Sequence, residues 1–149
     1  MSQTGFRKWG FALLILAVVL GTYLPGIHND LLFDDMRLKD GTIFGQHGSL
    51  LAYKQRMLSY GSFVWAEAIF GDGWWKQRLL NLLLHLGTVA ALFGLTRELL
   101  SQVDFPDDFR QTAHFESSKR TALWLGTGIF AVNPVAVYAV GYLVQRSIV

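Results

Sequence analysis

Two carboxylates stand side by side at Asp34-Asp35, in the stretch Leu31-Leu32-Phe33-Asp34-Asp35-Met36-Arg37 just beyond the first apolar run. Adjacent acids at such a place can take a proton as a general base, hold a divalent cation through oxygen ligands, or do no more than solvate a turn. Three arginines, Arg56, Arg78 and Arg146, fall on the same side of the topology derived below, and a guanidinium offers a planar fork of donors that matches a phosphate. The ordinary role of Arg78, at the edge of an apolar run, is to snorkel, with its stem along the helix and its charge among headgroups. His85 lies inside an uncharged run, where an ionisable residue marks a functional site unless an interhelical hydrogen bond satisfies it. Asn133, directly before Pro134, completes the set. The absence of cysteine excludes disulfides, zinc-thiolate sites and thiol catalysis.

The elements that must position these residues are apolar. Trp9 to Ile27 holds 19 uncharged residues, which as a helix reach roughly 28 Å, close to the hydrocarbon thickness of a bilayer. Each Leu, Ile, Val or Phe there favours insertion by about 0.3–0.6 kcal/mol, whereas one Asp at the bilayer centre costs about 2.5–3.5 kcal/mol, so the acid pair belongs outside the slab. Arg7 and Lys8 precede this run and His28-Asn29-Asp30 follow it, which by the positive-inside rule places the N-terminus in the cytoplasm. A cleaved signal peptide is the rival reading. No A-x-A pattern precedes a cleavage point and further apolar runs follow, so an uncleaved anchor is the expectation.

Residues 28–78 then form an outer segment with six acids and six bases. Ser49 is the expected cap of a helix over 50–70 lying in the membrane interface, and Gly71-Asp72-Gly73 ends it. Trp74-Trp75, Lys76 and Arg78 read as the aromatic belt and snorkelling bases of a second span over 79–96. In that span Asn81, His85 and Thr88 share one helix face, and the pairs Gly87/Ala91 and Ala90/Gly94 suit close packing. A cytoplasmic loop over 97–117 follows, with Asp104 as the cap of a short helix that begins at Pro106 and carries Asp107-Asp108 in its first turn. The last run, 121–145, is uncharged but interrupted at Asn133-Pro134. It reads as a third span over 118–132, a break that places Asn133 at the outer surface, and a continuation over 135–149.

With 52% hydrophobic and 16% charged residues and mean hydropathy +0.31, the expectation is an all-α, multi-pass membrane protein. It has about three transmembrane helices, one outer interfacial helical segment and a single membrane domain over residues 1–149. A net charge of +2 gives no reason to expect a nucleic acid partner. Membrane lipid is the implied partner.

One further pattern joins these pieces. Phe33-Asp34-Asp35, Arg56-Met57-Leu58-Ser59-Tyr60, Ile69-Phe70-Gly71, Asn81-Leu82-Leu83-Leu84-His85, Phe130-Ala131-Val132-Asn133-Pro134-Val135 and Tyr142-Leu143-Val144-Gln145-Arg146-Ser147 follow in order. Together they resemble the N-terminal membrane region of the transmembrane and tetratricopeptide repeat proteins, which belong to the GT-C class of glycosyltransferases. The resemblance implies the front of a larger GT-C module, followed by repeats, in a bacterial inner membrane. It implies transfer of a sugar from a polyprenyl phosphate donor to a protein or glycan acceptor outside the cytoplasm. Asp34 and Asp35 would be the catalytic acids and the ligands of any divalent cation, while Arg56, Arg78, Arg146, Asn133 and His85 would line the phosphate and substrate site. Where that family has His-Pro, and a Glu four residues beyond the proline, this chain has Asn133-Pro134 and Tyr138. The alternative from a different class is a non-catalytic membrane subunit packing its Asn81/His85 face against a larger membrane partner.

Overall fold

A run of leucine, alanine, glutamine and lysine without proline favours one long helix between Gly73 and Pro106, and the chain forms it as α5, Trp74–Gln102. The computed structural model describes residues 3–31, 35–48, 55–143 and 146, and every regular element among them is helical. In order these are α1 (Gln3–Tyr23), a 3-10 turn (Leu24–Gly26), α2 (Met36–Lys39), α3 (Thr42–His47), α4 (Met57–Phe70), α5, α6 (Asp107–Arg110), α7 (Phe115–Ala131) and α8 (Pro134–Gly141). Pro25 lies in the 3-10 turn and lacks the N–H that would continue α1. Gly71 (φ 74°) and Gly73 (φ 132°) turn the chain from α4 into α5 through backbone conformations that side chains with a Cβ rarely adopt.

Three contacts set the register of the bundle. Phe93 of α5 packs on Trp124 of α7 with ring centroids 4.5 Å apart, His85 meets the Ala131 carbonyl, and Arg78 meets the Gly141 carbonyl. Descending numbers on α5 pair with ascending numbers on α7 and α8, so α5 runs antiparallel to α7 and α8. Phe11 stacks on Trp124 at 5.6 Å while Tyr23 reaches His85 and Ala131, so α1 runs parallel to α7. Val19, Tyr23, Leu82, Val89, Ala131 and Val140 form the core between these helices. A second cluster of Leu38, Ile43, Phe63 and Leu143 joins α2, α3 and α4 to the C-terminal end.

The distribution of polarity is inverted relative to a water-soluble domain. Asp35, Gln77, Arg78, Asn81, His85, Thr127 and Arg146 are buried, while Trp9, Leu13, Leu14, Leu95, Leu99, Leu125 and Ile129 face outward. Apolar side chains are favoured outside and polar groups inside when the solvent is hydrocarbon. Two helices, through Trp9–Gly26 and Trp74–Gln102, are long and apolar enough to cross a membrane, and only 11% and 22% of their apolar windows are buried in the protein. Such helices suggest a membrane protein rather than the core of a soluble one.

Several boundaries differ from those expected of the sequence. The second apolar helix extends beyond 79–96 at both ends and takes Trp74 to Arg78 into its first turns. α4 begins at Met57, after Arg56 in the left-handed conformation (φ 60°), and the expected Ser49 cap lies outside the described residues. α7 ends at Ala131 and holds 17 residues, with Glu116, Lys119 and Arg120 near its start, so by itself it is shorter than the roughly 20 residues a span requires. α6 is capped by Pro106, and Asp104 instead forms an ion pair with Arg110. On α5, Asn81 and His85 are buried but Val89, not Thr88, continues the inward face. Thr88 turns its hydroxyl back to the Leu84 carbonyl. Gly87 and Gly94 have open space where a Cβ would stand, and Ala90 and Ala91 are exposed, so among the described residues the small-residue pairs show no close helix packing.

Candidate functional site

Pro134 has no N–H, and the turn it forces withdraws the Val135 N–H from Ala131, its partner in an uninterrupted helix. Several groups freed by the break find substitutes. Asn133 caps α8, its Oδ1 accepting from Val135 N at 2.9 Å. The Asn133 N–H donates to the Phe130 carbonyl at 3.2 Å. The Ala131 carbonyl lies 2.9 Å from His85 Nε2 and 3.4 Å from the Tyr23 hydroxyl. Donation to that carbonyl requires the Nε2–H form of the imidazole. Tyr23 meets the ring edge-on at 5.5 Å and Phe130 stacks on it at 6.1 Å. The break, at which Asn133 is exposed, joins α7 to α8. It lies level with His85, which along α5 is about two turns, roughly 10 Å, from Arg78. His85 is 2% exposed and is held by the broken helix.

Arg78 does not snorkel. It is 4% exposed, and its N–H groups donate to the carbonyls of Ile27, Asn29, Asp30 (3.0 Å) and Gly141. One guanidinium thus ties the segment after α1 to the end of α8. Ile27 follows the 3-10 turn and Gly141 ends α8, where helical pairing stops, and a fork with five donors suits carbonyls at such places.

Asp35 is buried beside this clamp, and its Oδ2 accepts from the Leu143 backbone N–H at 3.1 Å, a bond spanning 108 residues. Asp35 and Arg78 both line a cleft of about 280 Å³ between the end of α1, the start of α5 and the end of α8. Thr22, Tyr23, Asn29, Asp30 and Tyr142 contribute its other polar side chains. The adjacent Asp34 lies outside the described residues.

Arg146 occupies a separate cage. Its Nε donates to Asn81 Oδ1 at 2.6 Å, one terminal nitrogen to Ser62 Oγ at 2.9 Å, and the other to Gln77 Oε1 at 2.8 Å and the Gln77 carbonyl at 3.2 Å. The Phe63 ring covers the guanidinium at 3.9 Å. All these partners are neutral, and burial pushes the guanidinium down to about 10. Gln77, Asn81 and His85 recur every four residues on one face of α5. That spacing was available in the sequence, but the position of Gln77 between Lys76 and Arg78 suggested a membrane entry rather than a buried face.

The structure therefore brings Asp35 and Arg78 to one cleft, places Arg146 in its own cage, and sets His85 and Asn133 at the helix break. Arg56 is exposed, stacks its charge on Tyr60 at 5.6 Å and donates to the Tyr60 hydroxyl at 2.8 Å. Among the described residues no group of three or more His, Asp or Glu side chains could hold a metal ion. The chain matches no family model, no curated protein and no solved structure.

Proposed function

We propose that this chain is the N-terminal membrane part of a GT-C-type glycosyltransferase, which moves a sugar from a polyprenyl phosphate to an acceptor hydroxyl on the non-cytoplasmic side. The reading rests on the cleft that holds Asp35 against Arg78 at one end of two helices able to cross a membrane. In this reading one acid of the Asp34-Asp35 pair takes the acceptor proton and the other positions the acceptor or a divalent cation. The acceptor oxygen bonds to the anomeric carbon with inversion as the carbon–oxygen bond to the lipid phosphate breaks, and the electron pair leaves on the phosphate. Arg78 has committed its N–H groups to backbone carbonyls, so it would act on the leaving phosphate through its charge rather than as a bidentate fork. The accompanying topology has three spans in a bacterial inner membrane, the third crossing by α7 and α8 together, with the N-terminus in the cytoplasm.

The test is sugar transfer from a polyprenyl-phosphate donor by the intact protein in membranes. Asp34→Asn and Asp35→Asn are expected to abolish transfer while insertion persists, and wild-type rates in both variants would remove the assignment.

One observation favours a second reading, a non-catalytic subunit beside a larger membrane protein. The Asn81/His85 face expected to meet that partner is buried within the chain, but Gly87, Ala91 and Gly94 are exposed on α5, Gly87 and Gly94 have open space beside them among the described residues, and small residues at that spacing let another helix approach closely. Gly87→Leu and Gly94→Leu would then abolish co-purification with the partner. Isolation of the native protein as a stable monomer would speak against this reading.

A further inference from the structure

Away from the acid cleft, at the opposite end of the bundle, Trp124 stands between Phe11 of α1 and Phe93 of α5. On one side of it a groove of about 470 Å³ runs between α1 and α7, from Ser117 to Val132 just past the end of α7. At the helical rise that is roughly 22 Å, about four turns. Its walls are apolar, with Leu14, Ile15 and Ile129 among them, and Gly128 leaves its floor low. On the other side a cavity of about 590 Å³ is lined by Arg97 of α5 and by Lys119 and Arg120 of α7, with Glu116 as the one acid among its described lining residues. The two spaces meet at Arg120 and Trp124.

The basic residues differ in their commitments. Lys119 lies over the Phe105 and Phe115 rings at 5.6 and 5.8 Å. Arg97 and Arg120 are exposed and form no hydrogen bond or ion pair with any described residue. Two uncommitted guanidinium groups thus converge at the mouth of an apolar channel, on helices whose outward surface is itself apolar. That is the charge and shape complement of one molecule with an anionic phosphate head and a hydrocarbon tail.

We propose that this face is a binding site for a single anionic phospholipid, with its phosphate between Arg97 and Arg120 and an acyl chain along the α1–α7 groove beside Gly128. The site is independent of the Asp35 cleft and of any transferase activity. Guanidinium attraction selects the anionic headgroup, and the groove distinguishes a bound lipid from the mobile lipid around it.

Native mass spectrometry of the full chain in detergent, with palmitoyl-oleoyl-phosphatidylglycerol or palmitoyl-oleoyl-phosphatidylcholine added, tests this. One phosphatidylglycerol should be retained in strong preference to phosphatidylcholine. Arg97→Gln with Arg120→Gln should weaken that retention about 20-fold, near the combined effect of two basic groups on an anionic lipid. Gly128→Leu, whose new side chain enters the groove, should lower retention of phosphatidylglycerol with helical content by circular dichroism unchanged. Excess inorganic phosphate should not displace the lipid. Equal retention of both lipids, undiminished binding by the double arginine variant or by Gly128→Leu, or displacement by inorganic phosphate would each overturn the proposal.

Discussion

His85 Nε2 and the Ala131 carbonyl oxygen lie 2.9 Å apart, and the acceptor is the one that the Asn133-Pro134 break deprives of its helical donor. A histidine in an apolar helix and a proline in another, 49 positions apart in the chain, are therefore two halves of one arrangement. The break exposes backbone polarity that hydrocarbon could not solvate, and the imidazole supplies the missing hydrogen bond.

That pairing predicts a coupling. His85→Ala leaves the buried Ala131 carbonyl with only the longer Tyr23 contact and is expected to cost about 1–3 kcal/mol of stability. In a Pro134→Ala background the Val135 N–H can return to Ala131, so the same histidine substitution should cost distinctly less. Apparent melting temperatures of the four proteins in detergent form the double-mutant cycle. Additive costs would show that the two residues act separately.

Arg78→Lys keeps the charge but replaces a rigid fork by one ammonium that cannot reach carbonyls on two segments at once. The expected loss is about 2 kcal/mol, since hydrogen bonds from a charged donor are among the stronger ones. Hydrogen exchange should accelerate at the amides around Asn29 and Leu143, near the residues this clamp and Asp35 join, and stay unchanged near Trp124. Uniform acceleration would mean that the clamp is not local.

Glu67, on α4 outside the apolar helices, has its carboxyl pushed up by burial first, then by repulsion from Asp72 and by a hydrogen bond with it. The folded protein then holds this proton more tightly than the unfolded chain. The contribution is fully present below the ordinary carboxylate range and is lost as pH rises through the raised value. Between about pH 4 and pH 7 the melting temperature of Glu67→Gln should therefore fall less than that of the wild type. Identical slopes would exclude Glu67 as the source.

The proposed topology separates the two ends of α5, and the absence of cysteine makes it directly measurable. Single cysteines replacing the exposed Lys39 and Ser117 should react with a membrane-impermeant maleimide from opposite faces of the membrane. Reaction from one face would replace the three-span arrangement.

Helical class, the two long apolar helices and the interruption at Asn133-Pro134 were all legible in the sequence. They depend on local quantities: the length of an uncharged run against bilayer thickness, and the missing N–H of a proline. What each polar residue does was decided only by tertiary structure. Arg78 looked like a snorkelling base because the sequence records its neighbours in the chain, whereas its partners at Ile27, Asn29, Asp30 and Gly141 lie 48 or more positions away. Arg146 found its cage, and Asp35 its Leu143 amide, for the same reason. A buried hydrogen-bonding group must be matched in space, and only the packing of α1, α5 and α8 determines which distant carbonyl or amide stands within reach.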